Sequence, residues 1–314
     1  MTLPSRVLIT GGAGFLGAHL SRRLLELGVE VRLFDDLSGG RESNLPPGLP
    51  PGRLLRGDVR DEVALASAME GCPAVVHLAD RPVPAGSPTE GMDVNVQGTL
   101  AVMRACRAAK VARVVHASAC SVYGTSGSPP MAETRPPGPV TLTGASKVGG
   151  EAIVRAFAEE GAFQAVALRF FHVYGPGRVT SPTPGVLALF GREVAEGRPP
   201  QVHGAGEITR DFVHVEDAVN AMRLSLERRV GNWTLANVGT GVGTPLRAAA
   251  EAVATALGRV DIEPESVAAP PGPAVSSVAD MRYARSALGF EPKIGFAEGL
   301  ARKDFHLPIR WVAP

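Results

Sequence analysis

The chain has 314 residues and carries 32 Lys+Arg against 31 Asp+Glu, a formal charge of +1. Apolar residues make up 45% and charged residues 20%, near the globular average, which excludes an intrinsically disordered chain; the length suits roughly two domains. A near-neutral chain offers no electrostatic reason to expect nucleic acid or an anionic membrane as a partner.

Arg6–Thr10 is a short apolar run ahead of glycines, as a buried parallel strand should be. Over 15–27 the residues Phe15, Leu16, Leu20, Leu24 and Leu27 follow a helical period that Gly28 stops. A second strand, 31–34, runs into Asp35 and Asp36. The pattern then repeats with strand 53–55, helix 61–69, strand 74–78, helix 92–109, strand 113–117, helix 144–159 and strand 165–169. This alternation predicts an α/β fold with a doubly wound parallel sheet covered on both faces. After Arg169 turn-rich pieces separate short elements, and the strand Trp233–Val238 is expected to return to the main sheet. The run 268–274 holds too much Pro and Gly for a helix or central strand. The expected division is a main domain of 1–169, rejoined by 214–240, and a smaller C-terminal substrate lobe of 170–213 and 241–314.

Cys72, Cys106 and Cys120 are too few and too scattered for a disulfide framework or a metal cage, so no metal is expected. The opening residues lack the basic region, apolar run and cleavage site of a signal peptide. No stretch approaches the roughly 20 apolar residues of a spanning helix. A cytoplasmic chain with reduced thiols is expected.

The first strand leads into T-G-G-A-G-F-L-G (10–17), a G-x-x-G-x-x-G pattern on Gly11, Gly14 and Gly17. Such glycines serve a tight turn, close approach of backbone to a pyrophosphate, and close helix–strand packing. The pyrophosphate then lies on the helix N-terminus, where N–H groups point outward. The motif follows a strand, opens a helix and precedes an acidic residue at the end of strand two, which are its confirming contexts. Asp35 is placed to accept hydrogen bonds from an adenosine ribose and to repel a 2′-phosphate, favouring NAD over NADP. Asp36 can share that role. Asp58 reads equally as an adenine contact or as a helix cap ahead of Asp61.

With these pieces in order, the sequence resembles the extended short-chain dehydrogenase/reductase family, in its NAD-dependent sugar-nucleotide epimerase and dehydratase branch. The matching segments are T-G-G-A-G-F-L-G (10–17), D-D-L-S-G (35–39), G-D-V-R-D (57–61), H-L-A-D (77–80), D-V-N-V-Q-G-T (93–99), S-A-C-S-V-Y-G (118–124), G-A-S-K (144–147), L-R-F-F-H-V-Y-G-P-G (168–177), R-D-F-V-H-V-E-D (210–217) and N-V-G-T-G (237–241). The resemblance implies a Rossmann-type domain with bound NAD and a smaller substrate lobe. It also implies an isomerase or lyase acting on a nucleotide sugar such as a UDP-sugar, and a homodimer through helices 92–109 and 144–159. Cofactor contacts are implied at Gly11, Gly14, Phe15, Leu16, Gly17, Asp35, Asp36, Asp58, Val59, Leu78, Ala79 and Lys147.

The family's chemistry rests on a Tyr and a Lys four residues apart on one helix face, with a Ser or Thr donor alongside. The Lys lowers the phenol's pKa from about 10 so that it works as a base near neutrality. Lys147, one of only four lysines beside 28 arginines, holds the Lys position, where the resemblance implies a contact with the nicotinamide ribose. The Tyr position is Thr143, and the hydroxyl donor falls on Ala119. Ser118, Cys120 and Ser121 remain nearby, the last two standing where the dehydratases carry an acidic pair. Cys120 reads as a base or acid assisted by a cation, or as a small buried residue after a strand.

On the substrate side, Arg210 matches an arginine that grips a nucleotide diphosphate. A second such arginine usually precedes the segment corresponding to Ser276–Asp280, and 270–280 has no basic residue. His172 stands where an asparagine is usual; Phe171 and Asn95 complete the substrate-side candidates. Three functions fit these residues. The first is an epimerase/dehydratase-like enzyme with a rebuilt catalytic site, using Cys120, His172 or a water on Thr143 and Lys147 as acid/base. The second is a non-redox isomerase, cyclase or lyase with structural or no NAD, and the third a non-catalytic NAD- or sugar-binding partner subunit.

Overall fold

Residues Val7, Leu8 and Ile9 alternate sides along the first strand. Val7 and Ile9 join one apolar core and Leu8 the other, so both faces of this strand are covered. The fold comes from a computed structural model, which describes residues 2–83, 88–125, 128–269 and 275–310.

Seven strands form the main sheet: β1 (Arg6–Thr10), β2 (Glu30–Asp35), β3 (Leu54–Arg56), β4 (Ala74–His77), β5 (Arg113–Ala119), β6 (Gln164–Phe170) and β10 (Trp233–Val238). Their order is β10-β6-β5-β4-β1-β2-β3, with every pairing parallel. This is the α/β Rossmann-type sheet that the alternation predicts. Helices α1 (Phe15–Glu26) and α7 (Val215–Glu227) cover one face. On the other face lie α2 (Glu62–Met69), α4 (Thr99–Ala108) and α5 (Leu142–Glu159).

The predicted helix 92–109 differs in detail. A short α3 (Pro88–Met92) leads into a π-helical turn, Asp93–Gly98, and then into α4. Beyond β6, the strands β7 (His172–Tyr174), β9 (Thr209–His214) and β11 (Gly243–Pro245) make a second sheet, and β8 (Gln201–His203) pairs with β12 (Glu265–Val267). Helices α6 (Val186–Ala195), α8 (Leu246–Ala256) and α10 (Phe296–Ala301) enclose a third core around Leu187, Phe190, Phe212 and Val253. Helix α9 (Arg282–Leu288) packs back on the main sheet, its Ala284 and Leu288 joining the core beneath α1 and α7. Of the Pro-rich run 268–274, residues 270–274 lie outside the described residues. Among the described residues no helix is long and apolar enough to cross a membrane, and no group of three His, Cys, Asp or Glu is arranged to hold a metal.

Candidate active site

The strand order reverses between β1 and β4, and a ligand crevice opens at the carboxyl ends of strands at such a point. The loops after these two strands touch there. Gly11 has φ of +69°, and a Cβ on it would lie 2.7 Å from Ala79 N and 2.8 Å from Leu78 C, so only glycine fits. A Cβ on Gly17 would run into the Gly11 carbonyl, which is how close α1 comes to its loop. Gly14 caps α1 without a side-chain bond, leaving the first-turn N–H groups directed at the crevice. A cavity of about 340 Å³ lies over this cradle. It is lined by Gly11, Gly14, Phe15, Leu16 and Gly17, and by Val59, Leu78 and Ala79 from the loops after β3 and β4. Gly39 approaches Pro182 on its far side, so the segment after β7 spans the crevice. The cradle fits a dinucleotide pyrophosphate.

Asp35 is buried at the end of β2, its carboxylate accepting from Ala13 N at 2.9 Å and Leu37 N at 2.8 Å. Burial pushes its pKa up, opposed by those two bonds. It therefore ties the glycine loop to the next strand while lining the cavity. Asp36 also lines the cavity and caps its own turn through Ser38. Asp58 faces the cavity too, but is paired with Arg60, whose hydrogen bonds hold its pKa down. The α2 cap is Asp61 itself, which accepts from Val63 N and Ala64 N. Asp35→Ala should weaken NAD binding by about 10-fold or more, as expected for charge-assisted hydrogen bonds, and narrow the preference over NADP. Cofactor titration by fluorescence reads both, and an unchanged NAD:NADP ratio would remove Asp35 from ribose recognition.

Lys147 lines the cavity one turn beyond the start of α5, whose N-cap is Thr141. Its Nζ donates to Ala117 O at 3.1 Å and forms an ion pair with Asp80 Oδ1 at 2.9 Å. Thr143 does not line the cavity; its Oγ1 accepts from Val83 N at 3.4 Å. Ala119 reaches the cavity wall with a methyl group only. Ser118 reaches it as well, yet its hydroxyl is engaged behind the wall, donating to Glu151 Oε1 at 2.5 Å. Glu151 in turn holds the buried Arg169 through two bonds of 2.9 and 2.8 Å.

Cys120 lies behind this surface, 3.9 Å from His172 Nε2. Burial pushes its thiol up to about 11, only partly offset by Arg210, so it stays protonated at neutral pH. The thiolate base considered from the sequence is therefore disfavoured, and the cation beside it is Arg210. Ser121 is part-buried, with a hydroxyl that has no partner among the described residues. His172 lines the cavity; burial, with Arg210 and Arg178, pushes it down to about 3, and its Nε2 lies 2.9 Å from Ser277 Oγ. It is a neutral imidazole.

Phe171 lines the cavity as a buried ring beside Tyr123. Arg210 stands off from it, its guanidinium bonded to Val275 O. Asn95, expected on the substrate side, does not reach the cavity either. The π-helical turn directs it to the loop after β4, where it holds Arg81 N and O, with Ser146 alongside. The charged residues lining the cavity that the sequence reading did not single out are Asp80, Arg81 and Arg178. Arg178 lies over the Phe15 ring at 5.6 Å, and among the described residues it has no carboxylate within ion-pair distance. The signal for Asp80 was available: an acidic residue at the carboxyl end of β4, beside the strand reversal.

The sheet, the glycine cradle and the acidic residue after β2 define a nucleotide-cofactor-binding protein of the short-chain dehydrogenase type. The profile of the NAD dependent epimerase/dehydratase family matches residues 7–239. The chain is 36% identical over 304 residues to UDP-glucose 4-epimerase of Mycolicibacterium smegmatis, covering 95% of this chain and 96% of that one. Its fold matches UDP-glucose 4-epimerase of Thermotoga maritima, solved with UDP-glucose, with a TM-score of 0.89 and 29% identity over 96% of this chain and 98% of the other. UDP-glucose 4-epimerase of Thermus thermophilus, solved with NAD, gives 0.84 and 33% identity over 96% and 98%. The chain belongs to the NAD-dependent epimerase/dehydratase family, and NAD is its cofactor.

Proposed function

We propose that this protein is an isomerase or lyase acting on a nucleotide-activated sugar, with an acid/base apparatus rebuilt around Lys147. The observation that carries this reading is the Asp80–Lys147 pair in the cavity wall, 2.9 Å apart, beside an intact glycine cradle. A decaying site gives no reason for a carboxylate to stand paired with the remaining catalytic-type cation in the cavity wall. The relatives named above act on UDP-glucose, which supports a nucleotide sugar as substrate. NAD supplies a reversible hydride acceptor when bound. The residues that would hold it are the first turn of α1, Asp35 and Lys147, while Phe171 and His172 shape the sugar end of the cavity. A homodimer through α4 and α5 belongs to the same reading.

Lys147→Ala is expected to abolish turnover while leaving the fold intact. The check is conversion of UDP-glucose or dTDP-glucose by protein whose bound NAD has been quantified after denaturation. Full activity in that variant would sink the reading.

A further inference from the structure

Resting on that reading, we propose that Asp80 is the proton acceptor of this site, taking the place of the missing tyrosine with Lys147 as its orienting partner. The fold delivers the carboxylate deliberately. Asn95 ties down the loop after β4, accepting from Arg81 N at 2.8 Å and donating to Arg81 O at 2.9 Å. Two residues on, Val83 N donates to Thr143 Oγ1 at 3.4 Å, so the loop leans on the helical turn where a tyrosine would stand in the family. Threonine is short enough to permit that approach. Asp80 lies just before these anchors, with 35% of its side chain exposed in the cavity wall and Lys147 Nζ against Oδ1.

The other acid/base candidates are ruled out by position or by chemistry. The Ser118 hydroxyl is committed to Glu151, and neither Thr143 nor Cys120 reaches the cavity. His172 reaches it, but a neutral imidazole bonded to Ser277 and titrating near 3 is a weak base. Asp35 ends β2 and Asp36 and Asp58 follow β2 and β3, on the opposite flank of β1 from Lys147. Asp80 is the carboxylate beside Lys147.

In the step assigned to it, an Asp80 oxygen takes the proton of the sugar hydroxyl, and NAD, when bound, would supply the acceptor for the hydride on the same carbon. The C–H and O–H bonds break, a carbonyl forms, and Asp80 becomes a neutral carboxyl group. Returning both to the carbonyl restores the carboxylate. Lys147, donating also to Ala117 O, fixes the direction of the carboxylate and balances its charge.

The test uses NAD-loaded protein with UDP-glucose and dTDP-glucose as probes. Asp80→Asn should lower kcat by about 100-fold or more, the range of general-base catalysis, with KM changed less than about threefold. Formate added to Asp80→Ala should recover about 10-fold or more of the loss by supplying the carboxylate, which a structural role does not predict. Without any sugar, the Asp80 carboxyl carbon resonance, assigned by its disappearance in Asp80→Asn, should move in Lys147→Met. A resonance that stays put, a loss confined to KM, or no rescue by formate overturns the proposal. So does Asp80→Asn retaining about a third of kcat while the wild type turns a probe over. A wild type that turns over neither probe overturns the nucleotide-sugar reading, and this proposal falls with it.

Discussion

Glu151→Ala should destabilise the protein by about 3–5 kcal/mol, the cost of leaving a buried charge without its partner. Arg169 is 2% exposed, and the Glu151 carboxylate is the only acid paired with it among the described residues. Its Nε and one terminal nitrogen bond the two Glu151 oxygens, its guanidinium carbon lies 4.7 Å from the Tyr123 ring centroid, and the other terminal nitrogen has no partner among the described residues. Burial by itself would lower the Arg169 pKa; hydrogen bonding to Glu151 reverses that, and the net direction is upward. Removing the carboxylate leaves the guanidinium in an apolar setting and takes away the acceptor of Ser118. Glu151→Gln keeps an acceptor and should cost less. Replacing both partners, as Glu151→Met with Arg169→Met, should recover much of the loss because neither charge is then buried. Urea unfolding of the four proteins checks the order. A double variant no better than Glu151→Ala would mean that shape, not charge, sets the cost.

That ion pair also shows where sequence reading stops. Strands through β6 and helices α1, α2 and α5 were legible because buried parallel strands read as short apolar runs and their helices as a 3.6-residue stripe. Beyond Arg169 only β10 stood out, as the expected strand Trp233–Val238 of the main sheet; β7, β8, β11 and β12 have three residues each, too few to display a period. Helices α6 and α8 were also missed; the buried face of α8 is mostly alanine (Ala249, Ala250, Ala254), while Leu187, Phe190 and Val194 of α6 keep a helical spacing that could have found it. The π-helical turn left no mark in the sequence, although it directs Asn95 away from the cavity.

The cofactor end was legible because its signal is local. Gly11, Gly14 and Gly17 lie within one turn and loop, and Asp35 is fixed by the end of the adjacent strand. The catalytic end depends on residues far apart in sequence. Lys147 could be located from its motif, but its partner is 67 positions earlier and is brought over by Asn95 and Thr143. Cys120 illustrates the converse. Its residue type suggested chemistry, while burial, which pushes its pKa up to about 11, makes it an inert thiol.

Restoring the family's hydroxyl pair offers the second large effect, and Asp80 decides its size. A phenol titrates near 10, so a tyrosine at position 143 becomes a base at neutral pH only beside an unneutralised ammonium. Lys147 is already paired with Asp80. Ala119→Ser with Thr143→Tyr should therefore give little C4 epimerisation of UDP-glucose, because the new phenol meets a neutralised lysine and crowds the loop at Val83. Adding Asp80→Ala frees Lys147, and the triple variant should exceed the double by about 100-fold, the scale of a working general base. Steady-state rates at neutral pH with equal NAD occupancy give the comparison. The tyrosine absorbance supplies a second reading, since phenolate at position 143 should appear at lower pH in the triple variant than in the double. Equal rates and equal phenol titration in the two would mean that Asp80 does not restrain Lys147. A gain in the triple alone ties the loss of the tyrosine and the presence of Asp80 into one substitution of function, in which a carboxylate on the loop after β4 replaced a phenol on α5 as the partner of the same lysine.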